Sequence, residues 1–288
     1  MGEFDRPFRG SQAIQLGELT EHQLRHDFTR IYRDVYVRKR VEVTAHVRAL
    51  AAAAYSGKDA ILSGRSAAAI HGTKWIDGHE PAEVIRHDHF HAPRGLAVRQ
   101  YKVEPDEIMA VDGIRVTTPA RTAFDLGRTL HAPKSIEIVD ALCNATGLKP
   151  LEVSALAERH PGARGIVALR SMLDLVDGGA ESPPETRTRL AIIESGLPRP
   201  DTQIIVTDEY GLFVAQVDLG WRRWKVGVEY DGDGHWSISE QKERDLERYP
   251  QLEELGWRIV RVGTRLLNRP ASLHRRVHAK LRDAGAPV

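Results

Sequence analysis

The 288-residue sequence contains a single cysteine, Cys143. That excludes a disulfide framework and any cysteine-rich zinc site, and it fits a reducing compartment, so a cytoplasmic protein is expected. Long hydrophobic runs are also missing. The longest uncharged apolar stretch, Ala49 to Tyr55, falls far short of the ~20 residues a membrane helix requires. Residues Met1 to Gly10 are polar and charged with no apolar stretch behind them, so no secretory signal is expected. Charge of one sign is lacking too: 41 basic against 40 acidic residues leave +1, so bulk charge does not announce a nucleic-acid partner. What remains is 41% hydrophobic and 28% charged residues, an ordinary globular mixture. Its length suits two domains.

The distribution of charge says more than its sum. From Thr264 to Val288 six basic residues face one acid, Asp283. This is either a local footprint for phosphates or a solvated helix face. The clearest seam is Leu175–Pro184, reading LVDGGAESPP, where Gly, Ser and Pro cluster between helical patterns. It sets an N-terminal module, 1–178, apart from a C-terminal one, 183–288.

In the first module Thr20 and Gln23 form a capping box for a helix over Glu21 to His26. Ile31–Val37 alternates like a strand, and Val43–Tyr55 reads as an alanine-rich helix. Ser63–Ser66 introduces a short helix closed by Gly72. Leu96–Val103 and Ile108–Val116 read as paired strands, and four helices follow over 119–128, 135–143, 151–159 and 165–176. This half is α+β, with a helix-then-strand start compatible with a winged helix. In the second module the expected order is α-β-β-β-α-β-α: helix 185–195, strands 203–207, 212–221 and 225–231, helix 240–255, strand 257–262 and helix 270–283. Pro250 should kink or split its helix.

The chemistry concentrates on the second and third of those strands. A four-residue loop, Arg222 to Lys225, places Asp218 directly opposite Glu229, with Cβ atoms about 4.5–5.5 Å apart on one face. Asp231 follows on the same face about 7 Å along. Three gathered carboxylates repel one another unless a cation neutralises them or one stays protonated. Oxygen ligands suit a hard divalent ion, Mg²⁺ or Mn²⁺, which can polarise a phosphoryl oxygen and activate water. His235, just past the strand, could move a proton. A plain solvated strand end is the competing reading.

Residues Glu185–Val262 resemble the PD-(D/E)XK nuclease superfamily, in its branch similar to very-short-patch-repair endonucleases. The resemblance rests on Pro184-Glu185, Gln203, Val217-Asp218-Leu219, Val228-Glu229-Tyr230-Asp231-Gly232, His235, Arg244-Asp245 with Arg248, and Gly256-Trp257-Arg258-Ile259-Val260-Arg261. It implies a restriction-endonuclease-like mixed sheet flanked by helices, and metal-dependent hydrolysis of DNA phosphodiesters. It further implies Asp218 and Glu229 as metal ligands, Glu185 as an accessory acid and His235 as a catalytic histidine. Asp231 stands where the superfamily's name puts lysine, which leaves open a second metal, a substitute role for His235, or loss of catalysis. Lys225 shares that strand face but lies about 13 Å from Glu229. Glu185 has another expected duty, since Ser182-Pro183-Pro184-Glu185 is itself a capping box. Asp245 and Arg248 could simply pair at i,i+3.

Arg222 and Arg223, flanked by Trp221 and Trp224, could grip phosphates and stack on bases, as could Arg244 and Arg248; a solvated turn is the alternative for the hairpin tip. The N-terminal half resembles, more loosely, the antitoxins of abortive-infection type IV systems. The carrying stretches are Gly17–Thr20, Tyr32–Val37, Ser63–Gly72 and Val116–Ala123. That resemblance implies DNA binding. His87, His89 and His91 alternate on one strand face, and three histidines can hold zinc, but they span too much straight strand to converge and read as a surface loop. The expectation is therefore an α/β protein, α+β overall, acting as a Mg²⁺- or Mn²⁺-dependent DNA endonuclease in repair or defence. The alternative is a non-cleaving DNA-binding regulator or antitoxin-like protein, and a third option is a scaffold that meets no nucleic acid.

Overall fold

The computed structural model describes residues 4–88, 90–231 and 248–288. The chain divides into two units, Met1–Gly178 and Gly179–Val288, and the fold is α+β overall.

The first unit opens with β1 (Phe8–Arg9), α1 (Gly10–Gln15), α2 (Glu21–Asp27), β2 (Phe28–Tyr32) and β3 (Val35–Arg38). Thr20 caps α2 through the expected box: its hydroxyl accepts the Gln23 amide at 3.2 Å, and its own amide donates to Gln23 Oε1 at 2.9 Å. The stretch expected as one strand, Ile31–Val37, is instead a hairpin. Asp34 takes a left-handed φ of 63°, and the alternation continues on both arms, so the pattern alone conceals the turn. The sheet order is β1-β3-β2. Two helices thus precede the hairpin of the expected winged-helix-like start; α1 had no sequence signal.

Next come α3 (Ala45–Ser56), β4 (Ile61–Leu62), α4 (Gly64–Ile70), β5 (Ala82–Ile85), β6 (Leu96–Arg99), β7 (Ile108–Val111) and β8 (Ile114–Thr117). They build a five-stranded sheet in the order β6-β5-β4-β8-β7. The expected pairing of 96–103 with 108–116 is corrected here. β6 runs parallel to β5, and 108–117 is itself a hairpin turned at Asp112-Gly113, both at positive φ, as a tight two-residue turn requires. His87 and His91 are exposed and outside any strand, as a surface loop demands; His89 lies outside the described residues.

A helical layer follows: α5 (Pro119–Thr129), α6 (Lys134–Thr146), α7 (Pro150–Arg159) and α8 (Ile166–Leu173), with α5 packed on the other three. Arg121 of α5 is buried and ion-paired to both Glu107 and Asp125. Burial alone would raise the Glu107 carboxyl, but bonds from His160 and Arg121 hold it below its ordinary value.

The second unit contains α9 (Pro183–Glu194), β9 (Asp201–Thr207), β10 (Phe213–Trp221), β11 (Val226–Tyr230), a helical stretch α10 (248–254), β12 (Arg258–Val262), α11 (Thr264–Leu267) and α12 (Pro270–Asp283). The sheet order is β12-β11-β10-β9, parallel only between β11 and β12. This mixed sheet is sandwiched. Leu273, Val277 and Leu281 of α12 and Ile192 of α9 pack with Leu219, Val228 and Val260. Leu252 and Tyr249 of α10 pack with Ile204, Val217 and Trp257. Pro250 lies within the helical stretch 248–254. Gly227 leaves room for that second packing layer: a Cβ there would meet Ile259 Cδ1 at 2.6 Å and Val217 Cγ1 at 2.8 Å.

Candidate functional site

The β10–β11 hairpin sets the site. Trp221 pairs with Val226, Gly220 with Gly227 and Leu219 with Val228, the register that opposes Asp218 to Glu229. The loop is a 3₁₀ turn over Arg222–Trp224, with Lys225 in a left-handed conformation. Ladder pairing stops at Leu219–Val228. Beyond it the Asp218 carboxylate takes over, accepting the Tyr230 amide through Oδ2 at 2.8 Å. A side chain thus replaces a backbone acceptor where the two strands part.

Glu185 is buried, 9% exposed, in the first turn of α9. The expected capping box is half formed: Ser182 Oγ accepts the Glu185 amide at 3.4 Å, but the Glu185 carboxylate takes the Ser182 hydroxyl through Oε1 at 2.7 Å and the Glu181 amide through Oε2 at 2.8 Å in place of the Ser182 amide. Gln203 Nε2 donates to the same Oε2 at 3.1 Å. Capping does not remove Glu185 from the acidic cluster, because its charge is the second largest influence raising Asp218. Burial comes first, Glu229 adds to the rise, and the Tyr230 amide opposes it; Asp218 is pushed up to about 7. Glu185 is itself raised, chiefly by burial.

Glu229 is buried, 5% exposed. Its Oε2 accepts from Arg248 Nη2 at 2.9 Å and from the Tyr249 hydroxyl at 2.6 Å. Arg248 therefore reaches inward from α10 to a buried carboxylate; the expected pairing with Asp245 lies outside the described residues. Burial and the adjacent Glu229 charge also raise the Tyr249 phenol.

Other expected site residues lie elsewhere. Asp231 is exposed and ion-paired to Arg261. Arg222 donates to the Ile205 carbonyl at 3.0 Å, and the Arg223 guanidinium sits 5.7 Å from the Trp224 ring. Trp221 is not a free stacking platform. It is buried, and its indole donates to the Pro198 carbonyl at 3.1 Å. Lys225 donates to the Leu255 carbonyl at 2.9 Å. His235, Arg244 and Asp245 lie outside the described residues. Among the described residues, no three His, Cys, Asp or Glu side chains converge on one point as metal ligands would.

Two further residues take bonding roles at the site that spacing alone does not show. Gln203, with a left-handed φ of 49°, links Glu185 to Gln216. Tyr249 falls in register with Leu252 and Leu255 on the apolar face of its helix. A hydroxyl on an otherwise apolar face was the available clue.

A family match falls in the other unit. Residues 59–175 match the family model described as the AbiEi antitoxin C-terminal domain. Two Mycobacterium tuberculosis proteins, uncharacterized protein MT2308 (strain CDC 1551 / Oshkosh) and uncharacterized protein Rv2248 (strain ATCC 25618 / H37Rv), are each 33% identical over 155 residues. The aligned stretch covers 54% of this chain and 57% of each relative. No solved structure matches the chain. Among the described residues no helix is long and apolar enough to cross a membrane.

Proposed function

We propose that the protein is an antitoxin-like DNA-binding regulator. The match of residues 59–175 to the AbiEi antitoxin C-terminal domain carries this reading. The region ahead of that match supports it. α2 exposes His22, Gln23, Arg25 and His26, and the β2–β3 hairpin exposes Arg30 and Arg33. Among the described residues neither Arg30 nor Arg33 has a carboxylate within ion-pair distance. A short helix beside a basic hairpin suits a duplex, the helix facing base edges and the hairpin facing phosphates. The test is a gel-shift titration across salt concentrations, using a duplex from upstream of the protein's own gene. Binding should weaken steeply with salt, and Arg30→Ala with Arg33→Ala should flatten the salt slope by about two. A salt-independent shift, or none, would refute the reading.

A second reading is phosphodiester hydrolysis by the C-terminal unit, favoured by the Glu185–Asp218–Glu229 cluster. Among the described residues Arg248 is a cation bonded to this cluster. Although the three carboxylates do not converge as a full ligand set, the oxygen donors of a pair of them suit a hard divalent ion, Mg²⁺ or Mn²⁺, completed by water and phosphate. Asp218 and Glu229 would hold it, with Glu185 behind them. When bound, such an ion polarises a phosphoryl oxygen and acidifies water. Arg248 and Tyr249 fix the Glu229 carboxylate, and the Tyr230 amide fixes Asp218. Plasmid incubated with Mn²⁺ should be nicked by the native protein and left intact by Asp218→Ala and Glu229→Ala. Equal cutting by either variant would sink this second role without touching the first.

A further inference from the structure

We propose that a cavity in the first unit binds a small amphipathic carboxylate, an apolar tail carrying one anionic head. The cavity measures about 390 Å³, within the range of small-molecule sites. Leu50, Ala53 and Ala54 of α3 and Ile114 of β8 supply its apolar wall, while Arg6, Lys58 and Arg115 supply three cations. Among the described residues no carboxylate lines it.

The sequence explains why the space exists. The alanine run of α3 buries Ala51 and Ala52 in the core beneath the five-stranded sheet. Ala53 and Ala54, at the cavity, offer only methyl groups where longer side chains would fill it. α3 ends at Gly57, whose φ of 78° reverses the chain and is followed at once by Lys58. The opposite wall is the hairpin turned at Asp112-Gly113, and Arg6 Nη2 bonds Asp112 Oδ2 at 2.9 Å. That bond satisfies Arg6. Arg115 spends one nitrogen on the Asp59 carbonyl at 3.3 Å, and among the described residues neither Arg115 nor Lys58 has a carboxylate in ion-pair reach. Two exposed cations beside an apolar hollow call for one negative head and one apolar body. A carboxylate matches a guanidinium in charge and planar geometry. An occupant would touch the segment ahead of β1 together with α3 and β8, joining the three-stranded sheet to the five-stranded one.

The experiment is calorimetric titration of the full chain with octanoate, and separately with 1-octanol, acetate and inorganic phosphate. Octanoate should bind saturably at one per chain, and each of the other three at least tenfold more weakly. Ala54→Trp, which fills the hollow, should abolish octanoate binding. Lys58→Gln with Arg115→Gln alters two exposed side chains, so folding is expected to survive. It should raise the octanoate Kd at least tenfold and leave any weak octanol binding unchanged. Absent octanoate saturation, equal affinity for octanol or phosphate, or an octanoate Kd unmoved in the Gln pair would each overturn the proposal.

Discussion

Asp218 Oδ2 accepts the backbone amide of Tyr230 at 2.8 Å, one residue past the last paired rung between β10 and β11. The carboxylate does this while half-buried and within the fields of Glu185 and Glu229, which with burial push it up to about 7 from an ordinary 3.8. In metal-free buffer the folded state therefore holds a proton that the unfolded chain has released between about pH 4 and pH 7. Stability from this group is fully present below pH 4 and is lost as pH rises through about 7, by a few kcal/mol at most (about 1.4 per pKa unit). Asp218→Asn keeps the acceptor for Tyr230 and removes the charge. Denaturant midpoints measured with EDTA at pH 5 and pH 8 should differ markedly less in the variant than in the native protein. An unchanged difference would show that Asp218 titrates normally.

Glu229 depends on α10 for its solvation. Replacing the Tyr249 hydroxyl, 2.6 Å from Oε2, removes a donor to a buried carboxylate, worth about 1.5–3 kcal/mol for a bond to a charged group. Tyr249→Phe should lower the unfolding free energy by that order, read from urea melts at pH 7. A shift below about 0.5 kcal/mol would mean that Arg248 alone suffices.

Much of the second unit was legible in advance because its signals are local. Leu273, Val277 and Leu281 recur at helical spacing, and α12 occupies the expected 270–283. The Arg222–Lys225 loop fixed the hairpin register, which needed only counting. Less was legible in the first unit, where pairing is long-range. Strands β4 and β5 are short and fully buried, and nothing in Ile61-Leu62 announces that it joins β5 to β8. In both hairpins of that unit, alternation continues through the turn, so only a left-handed Asp34 or the Asp112-Gly113 pair marks the reversal. At the site, the carboxylates were visible and their partners were not. Tyr249 and Arg248 reach Glu229 from a helix about twenty residues on, and no spacing rule links the two.

Arg121 offers a test of the helical layer. It is 3% exposed and bridges Glu107 and Asp125, themselves buried. Removing Arg121 leaves Glu107 to His160 and Asp125 to Arg128, and breaking such a buried cluster costs about 3–5 kcal/mol. Arg121→Met should therefore destabilise the first unit by that amount in thermal or urea unfolding, with the melting of the second unit unchanged if the units unfold separately. A variant as stable as the native chain would show that the carboxylates find other compensation.

Cys143 reports on the same layer from inside it. The thiol is buried at 4% exposure beside α6's core contacts, and burial, with Asp140 nearby, pushes it up to about 12. Thiolate, not thiol, attacks disulfide reagents, so both access and ionisation are denied in the folded state. Ellman's reagent at pH 8 should leave the native protein unmodified for as long as the first unit stays folded, and titrate one thiol per chain in 6 M guanidinium. Arg121→Met should accelerate the native-state reaction about tenfold for each 1.4 kcal/mol of stability lost, because modification then proceeds through opening of the layer. Rapid labelling of the folded native protein would place Cys143 at the surface and contradict the packing of α6 against α5.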